Sequence, residues 1–425
     1  MKIRVADYIA DMLVKNGIHH VFSVTGGGAM HLNDGLGHKE GLTCIYNHHE
    51  QACAIAAESY ARINNQIAAV CVTTGPGGTN AITGVLGGWL DSIPMLILSG
   101  QVRYDTTVRS TGLNIRAYGD QEYDIVKMVS NITKYAWMVT DAADIRYCLE
   151  KALYLAKTGR PGPVWLDIPL NVQGAYIETE QLRGYDPLEE QKNVVPKVTD
   201  ELAKEIIAKI RNAKRPVFNA GNGSACVVGS HGYEIKKGQR FITNSAVASM
   251  GYDLPAAIGA CIASGEQDMI CVTGEGSIQM NLQELQTIIH HRFPIKIFVI
   301  NNGGYHSIRQ TQKNFFGDPL VGIGAESGDL SFPSMEKLAW AYGYPYQKIT
   351  DNCRLEEIKE TLQIHGPAIC EVFVDTQQKF EPKCASKRLE DGSMVSAPLE
   401  DLAPFLSQEE LKQQMFIPLF DEEMM

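Results

Sequence analysis

Short runs of consecutive apolar residues alternate with helical stretches along most of this chain. Strands buried on both faces of a parallel sheet, with helices crossing between them, read in this way. The pattern predicts strands over 21–24, 42–46, 68–72, 95–99 and 164–169, and helices over 5–16 and 50–62. The second of these helices carries Ala52, Ala54, Ala56, Ala57 and Ala61, small enough to let another backbone approach closely. Residues 1–172 therefore read as a doubly wound α/β domain. A polar, proline-containing connector follows, with a helix over 199–213 and a strand over 216–220, so that 173–223 forms a linking region. From 224 to 376 the α/β pattern resumes, with a predicted buried strand over 269–273, a helix over 282–289 and a strand over 295–300. The tail, 377–425, contains an acidic helix over 408–415 and an apolar segment, 416–420, suited to packing on a neighbour.

Candidate chemistry concentrates where predicted strands end. Gly274-Glu275-Gly276-Ser277 closes one apolar run and Asn301-Asn302 closes the next. In a strand–helix–strand crossover both termini reach the same sheet edge, where ligands of open α/β sheets bind. A carboxylate, an amide oxygen and a backbone carbonyl are hard ligands suited to Mg²⁺, which completes its shell with phosphate oxygens and water. The pattern resembles the metal–diphosphate motif of thiamine diphosphate-dependent enzymes, normally Gly-Asp-Gly with a distal Asn pair. Glu275 replaces the Asp, and its extra methylene reaches roughly 1.5 Å farther. In the first half, Gly75-Pro76-Gly77-Gly78-Thr79-Asn80 is followed by no Lys-Ser or Lys-Thr, so it is not a P-loop.

Composition narrows the class. The chain has 425 residues, 44% hydrophobic and 20% charged, an ordinary globular balance. A formal net charge of −11 argues against non-specific binding to nucleic acid or acidic membranes. The sequence has no apolar run of membrane-spanning length and no signal-peptide core, so a cytoplasmic location is expected. The 10 cysteines never form Cys-x-x-Cys and read as core thiols in a reducing compartment. The adjacent pairs His19-His20, His48-His49 and His290-His291 lack helical ligand spacing, so zinc is not expected.

Longer motifs extend the resemblance. His49-Glu50-Gln51 with its Ala-rich continuation to Arg62 comes first, then Thr74-Gly75-Pro76-Gly77. Asp91-Ser92-Ile93-Pro94, Ser99-Gly100-Gln101-Val102, Gln121-Glu122 and Gly159-Arg160-Pro161-Gly162 follow in order. Together they look like the pyrimidine-binding domain of acetolactate synthase. Ser249-Met250-Gly251-Tyr252-Asp253-Leu254-Pro255 and the metal motif agree for the second half.

This resemblance implies roles. Glu50 would hydrogen-bond N1′ of the cofactor's aminopyrimidine, so that its imino nitrogen removes the thiazolium C2 proton. The thiazolium would then act as electron sink for loss of CO₂ from a 2-oxo acid. Met250 would wedge the cofactor into its bent form. Gly26, Gly27, Pro76, Gly276, Ser277 and Tyr305 would line its site, with Gly229, Ser230 and His231 facing the diphosphate. Glu275, Asn302 and the Gly304 carbonyl would hold Mg²⁺. Gln121 is a candidate catalytic residue, and Lys134 matches a position near the substrate channel. The family also implies a homodimer or homotetramer in which Glu50 of one chain meets thiamine held by Glu275 and Asn302 of another.

The chain also departs from the family. A middle domain of about 150 residues is largely missing between the halves, so no FAD site is expected. Asp120 replaces a Phe, and Thr311 replaces the Trp that shapes the acceptor pocket. The expected activity is an acetolactate synthase-like carboligase that takes pyruvate as donor. A simple 2-oxo acid decarboxylase and a non-catalytic homologue are the alternatives.

Overall fold

The computed structural model describes residues 2–189, 239–244 and 246–378. It also describes residues 204, 234 and 236 and, in the tail, 381–382, 386–388, 394–398 and 400–416. The predicted helix over 199–213, the strand over 216–220 and segment 417–420 lie outside these residues, single positions aside.

The first half is a six-stranded parallel sheet in the order β3-β2-β4-β5-β7-β6. Its strands are β2 (His20–Ser23), β3 (Thr43–Tyr46), β4 (Ala68–Val72), β5 (Met95–Gln101), β6 (Tyr135–Met138) and β7 (Pro163–Pro169). Strands β4, β5 and β7 are buried throughout, because helices cover both faces. Helices α1 (Val5–Lys15) and α7 (Ile145–Lys157) bury their apolar stripes on one face. Helices α3 (Glu50–Asn64) and α4 (Pro76–Leu90) cover the other. A two-stranded antiparallel pair, β1 (Lys2–Arg4) and β8 (Tyr176–Glu178), ties the start of the half to its end. Strand β6 is absent from the elements predicted above. It is a short edge strand with Trp137 exposed, so its residues carry no run of buried apolar positions.

The second half is a four-stranded parallel sheet in the order β11-β12-β10-β9. It comprises β9 (Met269–Gly274), β10 (Ile295–Asn301), β11 (Tyr346–Ile349) and β12 (Ala368–Phe373). Helix α9 (Asp253–Ala263) precedes β9, and α10 (Glu284–His291) crosses from β9 to β10. The prediction of β9 as a buried strand is corrected: Cys271 and Thr273 are buried, but Ile270 and Val272 are 60% and 43% exposed. Among the described residues β9 is the sheet edge, and the face carrying Ile270 and Val272 is exposed. Helix α14 (Gln408–Gln414) forms in the tail, and Phe416 just beyond it is exposed.

The two halves share one hydrophobic core. It runs from Phe22, Val70 and Trp165 through α3 and α9 to Leu285, Ile297 and Ile369. The closeness of α3 to α9 follows from small side chains: Ala52, Ala54, Ala56, Ala57 and Ala61 are all buried, and a Cβ on Gly259 would lie 1.9 Å from the Ala56 carbonyl oxygen. Polar contacts fix the register of this packing. Ser59 Oγ donates to the Ala256 carbonyl at 2.8 Å, and the Tyr252 hydroxyl donates to Glu58 at 2.8 Å. Arg62 bridges Glu58 and Asp91.

Candidate active site

Strand β3 leaves β2 in one direction and β4 leaves it in the other, so the crevice at their carboxyl ends is where a ligand would be received. Gly26 follows β2 in extended conformation. A Cβ there would lie 2.5 Å from Thr73 Cβ, so only glycine lets the two strand ends close. Gly27 beside it opens a 3₁₀ turn and is exposed. Pro76 occupies the first turn of α4, where its missing N–H costs no hydrogen bond. The preceding Gly75 has φ of +60° and packs against the Gln121 carbonyl, which a Cβ would meet at 2.7 Å. Gln121 is exposed and itself holds a positive φ of 60°. Gln121 is thus brought to the Gly75 turn by its backbone.

Glu50 is the first residue of α3, beside the helix's positive end. His49 caps this helix, its Nδ1 accepting from Gln51 N at 3.1 Å. Asn80 Nδ2 donates to Glu50 Oε2 at 2.9 Å, and a Cβ on Gly77 would come within 3.6 Å of Oε1. Glu50 is half-buried and held at the mouth of the α4 turn. Asn80 has no assigned role in the sequence reading, although it closes the quoted glycine-rich stretch.

Beneath this turn lies a buried polar network. Asp167, fully buried, accepts from Ser99 Oγ at 2.7 Å and Gln101 Nε2 at 3.0 Å. Thr74 Oγ1 donates to Gln101 Oε1 at 2.7 Å. Burial pushes the Asp167 carboxyl up to about 7, against the lowering effect of these donors.

In the second half, the register Ile300↔Gly274 lets β9 and β10 leave the sheet side by side. Glu275 is buried, and its Oε1 accepts from Asn302 N at 3.2 Å and Gly304 N at 2.6 Å. Oε2 takes no hydrogen bond among the described residues. Burial raises the Glu275 carboxyl, while the backbone donors of Gly304 and Asn302 oppose that rise. Asn302 Oδ1 is buried with no hydrogen-bond partner among the described residues. Such an orphaned acceptor costs free energy unless something binds it. The Gly304 carbonyl accepts from His306 N at 3.0 Å and keeps its second lone pair. A free carboxylate oxygen, an unpartnered amide oxygen and a carbonyl fit a hard divalent cation.

Gly276 lies under the Tyr305 ring, where a Cβ would come within 2.4 Å of Cε1. Ser277 is engaged within the chain, its Oγ donating to Asp253 at 3.0 Å and accepting from Gly251 N at 2.9 Å. Thr273 Oγ1 also donates to Asp253, whose carboxyl is raised by burial. The turn carrying Met250 is thereby tied to the loop at Ser277, and Met250 itself is 44% exposed. Lys134 is half-buried, and its ammonium donates to the Thr158 carbonyl. Asp120 and Thr311 are exposed. Gly229, Ser230 and His231 lie outside the described residues.

Glu284 joins the halves. Fully buried at the start of α10, it accepts from Asn47 Nδ2 at 2.8 Å, His48 N at 3.0 Å and Thr287 Oγ1 at 2.8 Å. The helix after the Gly274–Ser277 loop thus holds the segment that delivers Glu50. Asp253, Glu284 and Arg309 carry no role in the sequence reading. For Asp253 and Glu284 the available signal was an acid at the start of a helix, which a periodicity reading treats as a solvated position, whereas Arg309 stands among polar residues.

Comparison with known proteins agrees with this arrangement. Residues 3–128 match the N-terminal TPP binding domain of thiamine pyrophosphate enzymes, and residues 221–372 match the C-terminal TPP binding domain. The acetolactate synthase large subunit of Buchnera aphidicola subsp. Schizaphis graminum is 25% identical, over 92% of this chain and 97% of that protein. That alignment spans 569 positions, more than the chain contains, so it opens gaps in this sequence. The acetolactate synthase isozyme 3 large subunit of Escherichia coli is 24% identical over 89% of this chain and 96% of that protein. A 215-residue stretch is 35% identical to the large subunit of Lactococcus lactis, covering 51% of this chain and 36% of that protein. With both TPP-binding domains in order and the region between them shortened, the chain belongs to the thiamine pyrophosphate enzyme family and is related to acetolactate synthase large subunits.

Proposed function

We propose that this protein is a thiamine diphosphate- and Mg²⁺-dependent carboligase that decarboxylates a 2-oxo acid, pyruvate in the first instance, and passes the acyl unit to a second carbonyl compound. The observation that carries the reading is the buried, unpartnered Asn302 Oδ1 beside Glu275, whose Oε1 is already committed to the Asn302 and Gly304 amides. Glu275, Asn302 and the Gly304 carbonyl would hold the cation, which would supply positive charge for the cofactor's diphosphate. When bound, thiamine diphosphate supplies an electron sink for cleaving the bond between carbonyl and carboxylate. Glu50, fixed by Asn80, would hold a proton at the aminopyrimidine nitrogen. Met250, exposed on its tied turn, offers an apolar surface for the cofactor to fold over. Gln121, beside the Gly75 turn, would meet the substrate.

The proposed assembly is a homodimer or a dimer of dimers, following the family resemblance. The docking of α3 on α9 equally supports a site whose two halves belong to one chain.

Calorimetric titration with thiamine diphosphate, with and without Mg²⁺, tests the reading. Saturable binding that requires Mg²⁺ is expected, weakened by Asn302→Ala, and pyruvate turnover is expected to be abolished by Glu50→Gln. Absence of Mg²⁺-dependent binding by the folded protein would leave a non-catalytic role. Acetaldehyde as the sole product from pyruvate would favour the simple decarboxylase.

A further inference from the structure

Arg309 is 1% exposed, yet no function assigned above uses it. It sits one turn into α11 (His306–Phe315), the helix that begins directly after the candidate metal loop. Its Nη1 donates to the Asn302 carbonyl at 2.9 Å and its Nη2 to the Gly303 carbonyl at 2.8 Å. Nε donates to Glu326 at 2.7 Å. Nη1 also lies 3.0 Å from His306 Nδ1, which must be the acceptor because guanidinium only donates. A buried cation with this many bonds specifies geometry, since its fixed planar fork can satisfy them together only in one pose.

The consequence lies in the peptide units it grips. In a trans peptide the C=O and the following N–H point in opposite directions within one plane. The Gly303 carbonyl accepts from Arg309, while the Gly304 N–H at the other end of that plane donates to Glu275. The Asn302 carbonyl accepts from Arg309, while the Gly303 N–H donates to Asn301 Oδ1 at 3.1 Å. One unit earlier, the Asn301 carbonyl accepts from Val374 N at 3.0 Å, while the Asn302 N–H donates to Glu275. Gly303 and Gly304 have φ of +73° and +133°, so the loop has little intrinsic preference for this path and needs outside restraint. Without Arg309, two of these three planes lose the anchor on their carbonyl side.

We propose that Arg309 is a positioning residue for the Asn302–Gly304 loop: by holding the carbonyls of Asn302 and Gly303, it aims the Gly304 amide at Glu275 and keeps Asn302 Oδ1 and the second lone pair of the Gly304 carbonyl turned to the cation. This rests on the metal–diphosphate reading proposed above, and its test separates the two. Glu326, partly exposed and also paired to Lys313, fixes the outer end of the guanidinium.

The experiment measures the Mg²⁺ concentration that half-saturates thiamine diphosphate binding, by calorimetry at fixed cofactor, together with the unfolding temperature. The proteins are wild type, Arg309→Met, Arg309→Lys and the buried core variant Ile297→Val. Ile297 lies in the middle of β10 and serves as a control for general loss of stability. Arg309→Met should raise the half-saturating Mg²⁺ at least about tenfold, the size of one lost charge-assisted hydrogen bond. Arg309→Lys, a single ammonium that cannot bridge both carbonyls and Glu326, should fall between. Ile297→Val should lower the unfolding temperature without moving the Mg²⁺ requirement. An unchanged requirement in Arg309→Met, or an equal shift in Ile297→Val, overturns the proposal. If Arg309→Met does not fold, wild-type Mg²⁺ dependence in Arg309→Lys overturns it on its own. Wild type that binds no thiamine diphosphate with Mg²⁺ refutes the underlying reading and this inference with it.

Discussion

Gly259→Ala isolates what the close approach of α3 and α9 contributes. On helix propensity alone this change should stabilise, by about 1 kcal/mol. The local geometry opposes it. The new Cβ would stand 1.9 Å from the Ala56 carbonyl oxygen and 2.7 Å from its carbon, where ordinary contact needs about 3.5 Å. The helices must therefore part by roughly 1.5 Å, and neither can yield locally because the obstacle is backbone. Overpacking of this kind costs about 1–3 kcal/mol. The retreat of α9 also stretches the Tyr252–Glu58 and Ser59–Ala256 hydrogen bonds, at about 1 kcal/mol each. Clash and lost bonds exceed the propensity gain, so a net loss of about 2–4 kcal/mol is expected. Circular dichroism melting and urea unfolding read that loss. Calorimetry should show weaker thiamine diphosphate binding as well, because α3 carries Glu50 and α9 follows Met250. A variant that melts higher than wild type and binds the cofactor equally well would show that the contact relaxes freely, and the reasoning would fail.

Three further outcomes are expected. Glu284→Gln keeps the shape but turns one acceptor oxygen into a donor facing Asn47 Nδ2 or the His48 amide; a cofactor affinity loss of about tenfold should appear in calorimetry, and unchanged affinity would mean that the segment before Glu50 is held otherwise. The Asp167 carboxyl, raised to about 7 when folded, keeps its proton where the unfolded chain, near an ordinary 3.8, has released it; the folded state then binds more protons, so stability should fall as pH rises from about 4 to 7. Melting temperatures of wild type and Asp167→Asn across that range check this, and parallel profiles would contradict it. Mixing Glu50→Gln with Asn302→Ala protein, unfolded together and refolded, should restore about a quarter of wild-type activity if each site is shared between two subunits of a dimer, and none if both halves come from one chain.

How far the chain could be read in advance follows from the kind of signal each part leaves. Parallel strands buried on both faces leave unbroken apolar runs, and β4, β5 and β7 were legible for that reason. Edge strands leave no such run. Strand β6 went unread, and β9, whose apolar letters resemble those of an interior strand, has Ile270 and Val272 uncovered. Composition cannot reveal that, among the described residues, β9 pairs with a strand on one side alone. The site divides in the same way. Glu275 and Asn302 stand at strand ends beside glycines, so local spacing marks them, whereas Glu50 opens a helix and is marked only through the longer motifs of the family resemblance. Asn47 and Glu284 meet across 237 positions of chain, and only the docking of α3 on α9 makes them partners. Arg309 shows the limit most directly. Its letter sits among polar residues on a helix whose neighbours Ser307 and Ile308 are exposed, and periodicity assigns such an arginine to solvent. Its burial is decided by the turn of Asn302, Gly303 and Gly304 before it, which presents two carbonyls that no other described donor satisfies. A polar residue becomes part of a site through the backbone groups that the fold leaves unpaired.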